Sequence, residues 1–204
     1  EFVKTTAGLA LESGGDLDAL KAAAYPGTER TVEEQLTHLM AIIGENMSLR
    51  RVQVIEVGQG VMASYVHNSL ASGLGRIGVL TALESEADAT ALEALGKQIS
   101  MHVAAVKPLA VSRDALDPAE VERERGILAQ QARETGKPEE IIEKMVEGRL
   151  RKFYEEVALL EQIYVVDGET RVAKVVEDAA KDLGEEIRLS GFVRFALGEG
   201  VGRD

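Results

Sequence analysis

Three histidines, His38, His67 and His102, are the only imidazoles this 204-residue sequence offers as general bases or metal ligands. None stands at a metal-binding spacing from another His or from a defensible pair of carboxylates. His38 and His102 fall on predicted helices, where a partly exposed helical residue is the plain reading. His67 closes a predicted strand just before a loop, and there a contact role competes evenly with a structural one. The chain has no Cys, which removes thiol nucleophiles, thiolate metal sites and disulfides together. No Ser occupies a nucleophile elbow, and the Asp and Glu residues read as solvated helix faces rather than an enclosed acid–base pair. Two phosphate-loop look-alikes fail on context. "GLGRIG" at 73–78 matches G-x-G-x-x-G but opens a strand, whereas an anion needs the free amides of a helix start. Gly136-Lys137 has Gln131 where a phosphate loop has its first Gly, and Pro138 follows the Lys. Covalent chemistry is disfavoured, and what remains is a binding surface.

The bulk composition narrows what that surface meets. A formal charge of −12 argues against binding nucleic acid or an anionic membrane, both of which require a positive face. The apolar runs are too short to span a bilayer, and neither a signal region nor a lipidation motif is present. A cytoplasmic protein is expected. At 45% hydrophobic and 4% aromatic residues without Trp, the core must be built from Ala, Val, Leu and Ile. Because the chain begins at Glu1 rather than Met, a fragment or processed form is expected.

Local signals then place the elements. Phe2–Leu11 and Leu17–Ala24 read as short helices around Gly14-Gly15, the second capped by Asp16 or Gly15. Thr31 and Glu34 form a capping box ahead of Val32, Leu36, Leu39, Met40 and Ile43, and Gly44 is suited to end that helix. Leu49–Val57, Val61–His67 and Ile77–Glu84 are β-rich, which predicts one strand and then a hairpin with a long tip. Asp88–Lys107 returns to helix until Pro108. Asp117-Pro118-Ala119-Glu120 is a dense helix start. A Gly136-Lys137-Pro138 turn joins this mostly charged helix to an amphipathic one, giving an antiparallel helical hairpin inserted into a compact body. Tyr164–Val166 reads as a short extended piece before the Asp167-Gly168 turn, Arg171–Leu183 as a helix and Phe192–Leu197 as a last strand.

The stretch "IGENMSLRRV" at 43–52 changes abruptly from helix end to strand-like sequence. Together with "SYVH", "IGVLTALES", "MHVAAVKPL", "GKPEEIIEKMVEGRLRKFYEEVALLEQIYV" and "GFVRFALGEG", in that order, it resembles the bacterial translation elongation factor Ts family over essentially the whole chain. The resemblance implies a guanine nucleotide exchange factor that binds the GTPase elongation factor Tu and promotes GDP release. It also implies an α+β fold of two small antiparallel sheets with packed helices and an inserted antiparallel helical hairpin. Residues 1–57 would be the remainder of an N-terminal core subdomain, 58–116 with 162–204 a C-terminal one, and 117–161 the hairpin. Members of the family carry a three-helix module, a first β-hairpin and a Thr-Asp-Phe-Val segment whose Phe wedges into the GTPase near its magnesium site. This sequence contains none of these, so strand Leu49–Val57 is expected to lack partners and exchange to be weak even where binding survives.

Partner contacts carry over where the motifs match. Ile43 and Gly44 resemble the helix-end pair that packs on the nucleotide domain of elongation factor Tu, and His67 resembles the strand-end His that touches a distal domain. Val165 and Val166 fall in the extended segment that lies against that same domain, although the family's second residue is commonly larger. Without the resemblance, Ile43, Val165 and Val166 read as ordinary core. Arg50 and Arg51 begin the expected strand, one facing outward because side chains alternate, with surface pairing to acids as the plain role. No cofactor or metal is implied for this chain, since GDP and Mg²⁺ belong to the GTPase. The alternative is a scaffold without exchange activity that uses the helical hairpin as a docking arm.

Overall fold

Asp16, Thr31, Asp88 and Asp117 each precede a stretch of helical periodicity, and each begins a helix in the computed structural model, which describes residues 1–200. Asp16 accepts the amide of Ala19 at 2.8 Å, Asp88 that of Ala91 at 2.9 Å and Asp117 that of Ala119 at 2.9 Å. Thr31 and Glu34 exchange hydrogen bonds of 3.2 and 2.8 Å, the reciprocal cap read from the sequence. The helices are α1 (Phe2–Glu12), α2 (Leu17–Ala22), α3 (Val32–Ile43), α4 (Ala89–Val106), α5 (Pro118–Arg133), α6 (Glu139–Val157) and α7 (Val172–Leu183). The strands are β1 (Gly60–Ala71), β2 (Leu74–Glu84) and β3 (Arg188–Ala196). The fold is α+β, as expected. The chain divides into two compact units, Glu1–Ile55 and Glu56–Asp204.

In the first unit Leu20 and Val32 are fully buried, and Tyr25 stacks on Phe2 with ring centroids 5.6 Å apart. The strand expected at Leu49–Val57 does not form; these residues run without a ladder, and one three-stranded sheet replaces the two that were expected among the described residues. A strand exists only through its partners, and all regular elements of the first unit are helices. Val52 and Val54 are nonetheless half-buried, and Val54 lies against Gly15. Arg50 and Arg51 are both exposed, since no pleat sorts them to opposite faces.

The second unit is built on an antiparallel sheet of order β1-β2-β3. The β1–β2 hairpin turns on two residues, Ser72 and Gly73. The long tip expected there is instead paired strand, because Ser69 and Ala71 find partners in Gly75 and Leu74. β3 starts at Arg188 rather than Phe192, since Leu189 is buried opposite Leu83 and Arg188 reaches Glu84 at 3.0 Å. Helix α4 lies on one face of this sheet. Its Leu92, Ile99 and Val103 are fully buried with Leu83, Val79, Leu159 and Val172, each such side chain contributing about 1.5–3 kcal/mol. Ser100 donates to Thr81 at 2.8 Å, so the two hydroxyls buried beneath the helix satisfy one another.

Helices α5 and α6 form the antiparallel hairpin, with a small cluster of their own in Leu128, Ala132, Ile142 and Val146. The charged α5 buries only Leu128 and Ala132, as its sequence dictates. At the base, Arg113 is paired with Glu161 and sits 4.9 Å over the Tyr154 ring, while Arg171 reaches Glu155 at 2.7 Å.

Gly96 marks where α4 comes closest to the sheet: a Cβ placed there would stand 2.5 Å from that of Ala63. Ala normally favours a helix interior over Gly by about 1 kcal/mol, whereas overpacking costs about 1–3 kcal/mol. Gly96→Ala is therefore expected to lower stability in urea unfolding, and a gain would refute the close approach.

Candidate protein-docking surfaces

In the first unit, α3 buries Val32 and Leu36 and then runs out of cover. Ile42 and Ile43 are 66% and 54% exposed, so Ile43 is not core. Gly44 ends the helix at φ +79°, its amide donating to the Met40 carbonyl at 2.9 Å. This left-handed cap costs a glycine nothing and other residues about 1 kcal/mol. The Met47 amide then approaches Met40 Sδ at 3.1 Å. Met40, Met47, Leu36 and Leu49 line a recess of about 110 Å³ beside the helix. The chain reversal thus leaves two isoleucines on an exposed corner.

In the second unit, His67 lies on β1 opposite Ile77. Alternation puts Ala63, Tyr65 and His67 on the side that faces α4. Ala63 and Tyr65 pack inward, while His67 is exposed, with its Nδ1 3.1 Å from the Tyr65 hydroxyl. His67 does not end the strand, as the sequence suggested. β1 continues to Ala71, with Asn68 at φ +51° and a register shift between Ser69 and Ala71.

Val165 and Val166 sit in the turn between α6 and α7, 46% and 56% exposed, beside Ile163 at 48%. They too are not core. The backbone beneath them is tightly tied. The Tyr164 amide donates to Thr170 O at 2.7 Å, the Gly168 amide to Tyr164 O at 2.8 Å, and the Val172 amide to Gln162 O at 3.0 Å. Asp167 accepts the amides of Glu169 and Thr170 at 2.9 and 3.0 Å, bonds that hold its carboxyl below the usual range. Tyr164 is buried, its hydroxyl donating to Gln98 of α4 at 3.1 Å, and that burial pushes the phenol upward.

His102 is the residue sequence reasoning missed. It is wholly buried rather than partly exposed, because the face of α4 beside the core stripe is covered by residues 162–165. Nε2 meets Gln162 Oε1 at 2.9 Å, and Nδ1 accepts the Val165 amide at 3.2 Å. Its sequence signal was spacing alone: 102 follows Leu95 and Ile99 at helical intervals. His38 is exposed on α3. Among the described residues, no three His, Asp or Glu side chains are grouped to hold a metal, and no helix is long and apolar enough to cross a membrane.

The family model for elongation factor Ts matches residues 1–199. The chain belongs to the elongation factor Ts family. It is 59% identical over its whole length to elongation factor Ts of Rhodospirillum rubrum, covering 66% of that protein. It is 58% identical over 203 residues to that of Gluconobacter oxydans and 56% over 200 residues to that of Rhodospirillum centenum, covering 65% of each. The chain thus spans just under two thirds of the length of these family members.

Two predictions arise from these surfaces. Gly44→Ala should cost about 1 kcal/mol in urea unfolding, which tests the left-handed cap. Burial lowers the pKa of His102, against the smaller raising effect of its Gln162 bond. The unfolded state therefore binds a proton that the folded state declines, and stability is full above the ordinary histidine value of about 6.5 and lost as pH falls from there toward the folded pKa. Unfolding midpoints between pH 7.5 and 5 should fall, and the fall should be smaller in His102→Asn.

Proposed function

We propose that this chain acts as a guanine nucleotide exchange factor, binding the GTPase elongation factor Tu and promoting GDP release during translation elongation in the cytoplasm. It makes and breaks no bonds. Membership in the elongation factor Ts family supports this reading. The observation that carries it onto particular residues is that Ile43, Val165 and Val166, side chains that ordinarily fill a core, are exposed on firmly bonded backbone. Ile43 and Gly44 would meet the nucleotide domain, and His67, Val165 and Val166 a distal domain. We also propose that residues 1–57, 58–116 with 162–204, and 117–161 serve as an N-terminal core remainder, a C-terminal core and an inserted arm.

Exchange needs only a difference in affinity. A protein that binds the nucleotide-free GTPase better than the GDP-bound form weakens GDP binding by the same factor, and each tenfold change corresponds to about 1.4 kcal/mol of coupling. A few apolar contacts made in one state and not the other are enough. GDP and Mg²⁺ are held by the GTPase, so this chain supplies shape and apolar surface.

A second reading, a scaffold that docks through the hairpin without exchange, is favoured by one observation. The hairpin carries its own buried cluster and exposes Ile127 and Ile141, each 44% accessible. Titration against nucleotide-free and GDP-loaded elongation factor Tu separates the two. The exchange reading expects at least about tenfold tighter binding to the empty form, weakened roughly tenfold by Ile43→Ser or Val166→Ser and little changed by Ile127→Ser. Equal affinity for both forms, or a loss confined to Ile127→Ser and Ile141→Ser, would overturn it.

A further inference from the structure

A helix face packed against apolar neighbours would accept Leu at position 102, yet the position holds a fully buried imidazole with both nitrogens engaged. The partners fix its state. Nδ1 receives the Val165 N–H and so carries no proton, and Nε2–H donates to Gln162 Oε1. Gln162 is 2% exposed, and its amide donates onward to the Glu156 carbonyl at 2.6 Å. The Tyr164 ring lies 5.9 Å from that of His102, and its hydroxyl reaches Gln98 one helical turn earlier. Residues 162, 164 and 165 are thus fastened to α4 by side chain, side chain and main chain in turn, while Ile163, Val165 and Val166 expose their side chains.

We propose that His102 is a positioning residue for the docking turn: its unprotonated Nδ1 fixes the Val165 main chain, and its Nε2–H fixes Gln162, so that Val165 and Val166 are presented before any partner arrives. The proposal rests on the reading of that turn as a contact for the GTPase. A turn ordered in advance need not be ordered on binding, so the imidazole raises affinity without touching the partner. Leu would fill the space but leave the Val165 amide and the Gln162 side-chain carbonyl without partners away from water.

Asn and Gln separate the two nitrogens. The Asn carbonyl lies near Nδ1 and can still accept from Val165, whereas the Gln amide lies near Nε2 and can only replace the bond to Gln162. Hydrogen exchange at the Val165 amide in this chain alone reads the latch. His102→Gln should speed it about fivefold, and His102→Asn should keep it slow. Affinity for the nucleotide-free GTPase should follow, about fivefold weaker for Gln and recovered in Asn. A merely structural histidine would make the two variants alike, and that result, or unchanged exchange in His102→Gln, overturns the proposal. Val166→Ser tests the underlying reading by itself. If it weakens binding while His102→Gln does not, positioning fails and the docking surface stands; if neither weakens binding, both fall. Should the variants not fold, nitrogen NMR of the unaltered chain decides: an Nε2–H tautomer supports the latch, and an Nδ1–H or charged ring overturns it.

Discussion

The close contact between α4 and the three-stranded sheet is the constraint on which the second unit rests. A Gly on the helix facing an Ala on β1 lets the two backbones approach nearer than ordinary side chains allow. Leu92, Ile99 and Val103 are then buried in one cluster with Val79 and Leu83. The same contact traps Ser100 and Thr81, and the hydrogen bond between them turns a cost into a neutral feature that fixes the helix along its axis. With the helix placed on one side by packing, its adjoining face becomes a reference surface for whatever chain crosses it.

That second face carries the turn between α6 and α7. The segment after α6 packs on α4 through the buried Leu159 and Tyr164 and is also tied to it by polar groups: Gln98 and His102 of α4 meet Tyr164, Gln162 and the Val165 amide. Ile163, Val165 and Val166 nevertheless expose their side chains. The charged pairs play a smaller part. Those along α7, such as Lys174 with Asp178 and Lys181 with Glu177, lie on the surface and contribute little to stability.

Hydrogen-bonded caps and helical stripes were legible because they are decided within a few residues. The Thr31–Glu34 box, the Asp117 cap and the thin apolar face of α5 need no knowledge of distant chain. The resemblance carried in its blocks supplied the family, in agreement with the family-model match over residues 1–199. Exposure was not legible in the same way. Ile43, Val165 and Val166 have the composition of core, and only the absence of covering elements distinguishes them from Val32 or Val172.

What sequence determined by itself is therefore local and categorical: which stretches are helices, where they begin, that the class is α+β, and to which family the chain belongs. Tertiary structure alone decided that Leu49–Val57 has no ladder, that β3 starts at Arg188, that His67 lies within β1 rather than at its end, and that His102 is buried in a polar latch. The physical reason is common to all four. A helix satisfies its own backbone, whereas strand pairing, burial and the engagement of an imidazole's two nitrogens each depend on which distant residue arrives beside them.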